Sequence, residues 1–101
     1  MEIYDDADIQ VSEGRARFIF EIPGYRLHKP IEALFFEEGT NSYRIQHTLP
    51  SVDLESGRDI IGLGKTEKSA GNHLISQLLN RYSNPKDELE RNYLNSIMSR
   101  V

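Results

Sequence analysis

The chain contains no cysteine, which excludes a disulfide scaffold, a thiolate metal site and a cysteine nucleophile. No apolar run approaches the roughly 20 residues that span a bilayer, so no membrane partner is expected. The first ten residues, MEIYDDADIQ, are acidic and lack the basic-then-apolar order of a secretory signal; the reducing cytoplasm is the expected compartment. Basic residues are also in the minority. Twelve Lys and Arg against 16 Asp and Glu give a net charge of −4, whereas a dedicated nucleic-acid binder is usually basic because neutralised phosphates supply its affinity. That balance favours a protein as partner.

What is present suits one small domain. Of 101 residues, 38% are hydrophobic and 9% aromatic, enough for a helix layer on a sheet but with little surplus for an enclosed active-site cavity. The 28% of charged residues are mixed in sign, as in globular rather than disordered chains. Residues 1–30 read as a β-hairpin: a short strand at 9–11, turn chemistry at Ser12-Glu13-Gly14, and an alternating strand at 15–22 with Ala16, Phe18, Phe20 and Ile22 on one face. Residues 25–30 read as a linker. The strand at 31–37 is apolar on both faces, through Ala33 and Phe35 and through Leu34 and Phe36, which places it in the middle of the sheet. Gly39 and Asn41 mark a loop, 43–49 alternates again, 52–57 reads as a turn, and 58–63 carries a last strand.

The period then becomes helical. Ala70, Leu74, Ile75, Leu78, Leu79 and Tyr82 form a stripe over a helix at 66–83, with Thr66 as its N-cap. A second helix at 85–100 is expected from Asn84 as N-cap, Pro85 at the first helical position, and the stripe Leu89, Tyr93, Leu94, Ile97, Met98, Val101. The expected fold is α+β: an antiparallel sheet of about four to five strands in one domain, 1–101, with two C-terminal helices, the first packed on one sheet face. The last stripe either completes the core or forms a homodimer surface through the C-terminal helix.

Few residues suggest chemistry. Gly62-Leu63-Gly64-Lys65-Thr66 matches the second half of a phosphate-binding loop, but Asp59 stands where that loop needs a glycine; a strand-to-helix turn is expected instead. His28, His47 and His73 have no carboxylate at metal-ligand spacing. His47 falls on the apolar face of its strand, as a hydrogen-bonded core histidine would. Glu37 and Glu38 are adjacent on a strand and point in opposite directions, so they cannot act as a catalytic pair. No cofactor, no metal and no enzymatic activity are expected.

Gly62-x-Gly64-x-Thr66-x-Lys68-x-Ala70, following the strands and opening a helix, resembles the signature of double-stranded-RNA-binding domains over residues 31–82. The resemblance implies a β-β-β-α core, and a phosphate grip at the helix N-terminus through Lys65 and Lys68, with Arg44 beside them. Glu67 and Gly71 replace two expected lysines, Leu74 and Ile75 replace a small pair, and the family's first helix is missing. In overall profile the chain is similar to small acidic inhibitors carried by phages and plasmids, anti-CRISPR proteins among them. That profile implies a non-enzymatic protein-binding module that occludes a surface on a nucleic-acid-handling complex, with Glu2, Asp5, Asp6, Asp8, Glu37 and Glu38 as the acidic contact residues. Nucleic-acid binding through Arg44, Lys65 and Lys68 is the alternative.

Overall fold

A computed structural model describes residues 8–19, 24–50 and 58–101. Its elements run β1 (Asp8–Ser12), β2 (Arg15–Ile19), β3 (Tyr25–Leu27), β4 (Ile31–Gly39), β5 (Ser42–Leu49), β6 (Arg58–Gly64), α1 (Glu67–Ser83), α2 (Glu88–Ile97) and β7 (Met98–Arg100). The fold is α+β. Five antiparallel strands form a sheet in the order β1-β2-β4-β5-β6, and β3 pairs with β7 in a separate two-stranded ribbon. The expected end of the second strand at 20–22 and the turn at 52–57 lie outside the described residues.

Local chemistry explains the hairpins. Glu13 and Gly14 both have positive φ (51° and 77°) between the paired residues Ser12 and Arg15, the backbone of a two-residue turn whose twist matches its strands. Asn41, also at positive φ (54°), turns β4 into β5. Alternation sends Ala16, Ile31, Ala33, Phe35, Ile45, Leu49 and Ile60 to one side of the sheet, where they meet Ala70, Leu74, Ile75 and Leu78 of α1. The sheet curls around this helix, because α1 contacts β6 at one edge and β1 at the other.

Glycines set how closely the helix sits. A Cβ on Gly62 would collide with the Ala70 carbonyl and approach Leu74 N to 2.7 Å; one on Gly64 would collide with Ser69 and Ala70; one on Gly71 would strike Ile9. The Gly62-x-Gly64 pattern is therefore accounted for by backbone-to-backbone packing of α1 on β6, with Lys65 and Thr66 as a short turn between them.

The C-terminal third departs from the sequence expectation. The second helix starts at Glu88 rather than residue 85, capped by Asp87, whose carboxylate accepts the Glu90 N–H at 2.8 Å; Asn84 instead closes α1 by donating to the Asn80 carbonyl. It ends at Ile97 rather than 100, because Met98–Arg100 turns extended and pairs with Tyr25–Leu27. His28 N–H donates to the Ile97 carbonyl and Val101 N–H to the Gly24 carbonyl at the two ends of this ribbon. Residues 25–27, expected as linker, are thus β3. Leu94, Ile97 and Met98 are buried in the chain's own core while Leu89 and Val101 are exposed, so half of the stripe considered for a homodimer is already covered.

Candidate interaction surface

Helix α1 covers one face of the sheet, and the other face is open. Register assigns its residues in cross-strand rows, with Asp8 and Ile19 paired at one end. Ser12, Arg15, Leu34, Gln46 and Ile61 form the middle row. Phe36, Arg44 and Leu63 lie towards the β4–β5 turn. Gln10, Arg17 and Glu32 lie on the opposite side, and Thr48 and Asp59 pair at the same end of β5 and β6. Four large apolar side chains stand exposed there, Leu63 by 55%, Ile19 by 48%, Leu34 by 43% and Phe36 by 36%. They share a face, so they form a surface rather than scattered exceptions.

Polar groups brace this surface. The Arg44 guanidinium lies 4.3 Å from the Phe36 ring centroid, and its Nε is 3.3 Å from Glu38 Oε1, an ion pair without hydrogen-bond alignment. Arg44 donates to Gln46 Oε1 at 3.1 Å, Gln46 donates to Asp59 Oδ2 at 2.8 Å, and the Thr48 hydroxyl donates to Asp59 Oδ1 at 2.6 Å. The chain of contacts crosses β4, β5 and β6. Among the described side chains, three cations, Arg15, Arg17 and Arg44, share the face with three carboxylates, Glu32, Glu38 and Asp59.

Beneath it, β4 and β5 part. Their ladder runs from Gly39 and Ser42 to Leu34 and Gln46 and stops, while β5 continues along β6 to Leu49. The buried His47 ring fills the divide. Its Nδ1 lies 2.8 Å from the Glu32 carbonyl and its Nε2 2.8 Å from the Tyr93 hydroxyl of α2. Because a carbonyl only accepts, Nδ1 carries the proton and Nε2 accepts from Tyr93. Burial lowers the His47 pKa below its usual 6.5, against the opposing effects of the Glu32 bond and the Asp59 charge; burial also raises that of Tyr93. The core-histidine expectation holds.

The outer edge of β6 is closed by α1. Leu63 N–H donates to His73 Nδ1 at 2.9 Å, and the Gln77 amide donates to the Ile61 carbonyl. These side chains occupy backbone groups that an added strand would need. His73 is thereby explained as an edge cap.

The sequence-expected site residues fall on several elements. Lys68 is exposed in the first turn of α1, the helix that covers one face of the sheet, and Lys65 is exposed in the turn that precedes it, whereas Arg44 is on the open face. The α1 N-terminus is itself occupied: Thr66 Oγ1 accepts the Ser69 N–H and Ser69 Oγ accepts the Thr66 N–H, each at 3.0 Å. Glu37 and Glu38 follow each other at the end of β4, and Glu38 is engaged with Arg44. Glu2, Asp5, Asp6 and the side chain of Asp8 lie outside the described residues. Among the described residues there is no group of three or more His, Asp or Glu that could hold a metal ion, and no helix is long and apolar enough to cross a membrane. Leu34, Phe36 and Leu63 were not anticipated as a surface, although the doubly apolar β4 contained the signal. No family model matches the chain, and no curated protein or solved structure matches it significantly.

Proposed function

We propose that this protein is a non-enzymatic protein-binding module whose contact surface is the open face of the five-stranded sheet. The observation that carries the reading is the exposed set Leu34, Phe36 and Leu63 on one face, among charges of both signs. Large apolar side chains interspersed with polar and charged groups of both signs are usual in a protein–protein contact. A polyanion would meet Glu32, Glu38 and Asp59 as well as the arginines, and the Phe36 ring already carries Arg44, which opposes base stacking on it. Nucleic-acid binding through Arg44, Lys65 and Lys68 is the alternative, and the mixed charge of the open face makes it the second choice. The module acts by covering a surface of its partner, as a small adaptor or inhibitor does.

A photo-crosslinking residue at position 63 tests this in cells expressing the chain. The expected result is a discrete protein adduct that disappears when Phe36→Glu is added. Adducts to nucleic acid, or a protein adduct indifferent to Phe36→Glu, would overturn the assignment of this face.

A further inference from the structure

Resting on the reading of the open face as a docking surface, we infer that the face is self-complementary and that its occupant is a second copy of this chain. Arg15 and Arg17 stand on β2 at one side of the face, and Asp59 stands on β6 at the other. By residue count Arg17 and Asp59 fall in one row, on either side of the point where the β4–β5 ladder ends. Arg17 is opposite Glu32, Thr48 is opposite Asp59, and the His47 bond ties the Glu32 backbone to β5 across the divide.

A two-fold axis parallel to the strands and midway between β4 and β5 sends β2 of one copy over β6 of the other without changing row. Each Arg17 then meets the other copy's Asp59, and the contact occurs twice, as closed two-fold symmetry requires. Phe36 of each copy lies towards the other's Arg44, and Leu34 sits near the axis. Among the described residues Arg15 and Arg17 have no ion-pair or hydrogen-bond partner within the chain, whereas Arg44 is already held by Glu38 and Gln46. The unengaged cations are thus on the side that the symmetry carries to a carboxylate. Two sheets packed face to face lie about 10 Å apart, close enough for side chains from both to interdigitate.

The contact is small. Four strands at about 4.8 Å spacing and five residues at about 3.4 Å give a patch of roughly 19 by 17 Å, and the curl of the sheet concentrates contact on β4 and β5. Such a patch, roughly 320 Å² on each copy, is smaller than a standard specific interface, so a weak, transient dimer with dissociation in roughly the millimolar range is expected. It should weaken as salt rises, because Arg17 and Asp59 meet at the rim.

Sedimentation equilibrium of the full chain over a range of concentrations, with two variants, tests the symmetry. Arg17→Glu alone sets carboxylate against carboxylate, and Asp59→Lys alone sets cation against cation, so each is expected to sediment as a monomer. Mixed in equal amounts, the two variants set the introduced carboxylate at position 17 against the introduced ammonium at position 59. The native Arg17–Asp59 pair forms at the symmetry-related contact, and a heterodimer should reappear. Wild-type chain that stays monomeric at every concentration would overturn the inference; so would a dimer that the single variants leave intact or the mixture fails to restore. The position-63 crosslink separates this from the broader reading: a monomer that still crosslinks to a different protein sinks the second copy and keeps the docking face, and a monomer without any protein adduct sinks both.

Discussion

His47 shows how one buried side chain can link three elements. Its ring takes the backbone carbonyl of Glu32 that the diverging strands leave without a ladder partner, and it accepts the Tyr93 hydroxyl from α2. Burial holds its pKa below the ordinary 6.5. The unfolded chain therefore binds a proton first as the pH falls, which favours unfolding: the stability contribution is complete above about pH 6.5 and is lost progressively below it. Urea unfolding between pH 7.5 and 5 should show this decline. His47→Gln should lower stability at pH 7.5 by about 1–3 kcal/mol through disrupted buried hydrogen bonds, while removing the part of the slope that belongs to the imidazole. An unchanged slope in that variant would assign the pH dependence to other groups. A second buried polar residue, Glu90, receives the Arg81 guanidinium in a fork at 2.8 and 3.1 Å. Arg81→Leu strips that counter-charge from a carboxylate out of contact with water. A loss of about 3–5 kcal/mol is expected, larger than for the double replacement Arg81→Leu with Glu90→Leu, as thermal or urea melts would measure.

The α1–β6 contact is governed by the absence of side chains. Gly62→Ala places a methyl group against the Ala70 carbonyl and Leu74 backbone, neither of which can rotate away. The helix must then lift from the strand, and a loss of at least about 1–3 kcal/mol is expected, as for other overpacked sites. Gly14 provides the contrast. Nothing lies within 4 Å of its would-be Cβ, but its φ of 77° is left-handed, so Gly14→Ala should cost only about 1–2 kcal/mol of backbone strain. Calorimetry on the two variants distinguishes packing from conformation. At the other end of the fold, Met98→Ala removes a fully buried side chain at the first residue of β7. It should destabilise by about 2–5 kcal/mol, with hydrogen exchange accelerating at His28 and Val101, whose N–H groups bond across the ribbon ends.

At the scale of the molecule, the two sheet faces have different tasks. One is filled by α1 and the C-terminal segment; the other keeps Leu34, Phe36 and Leu63 in water. Substitution on the open face should therefore separate folding from association. Leu63→Lys is expected to change stability by no more than about 0.5 kcal/mol, the usual range for an exposed site. The same change should weaken association through the open face, read as a higher dissociation constant of the two-fold dimer. A melt that drops by several degrees would instead make Leu63 part of the fold's own core.

Period and turn chemistry alone determined much of this protein. The alternation at 43–49 and 58–63, the positive-φ residues Gly14 and Asn41, the Thr66 cap and the stripe from Ala70 to Leu78 are local signals, set by steric and hydrogen-bonding preferences within a few residues. Tertiary structure decided the rest. Whether residues 25–27 and 98–100 were linker and helix or two paired strands depended on their meeting across more than 70 positions, which no local preference encodes. Leu34 and Phe36 announced a strand that is apolar on both faces, and β4 is indeed central. Only the position of a single helical layer left one of those faces uncovered, turning a pattern that reads as burial into a surface for contact.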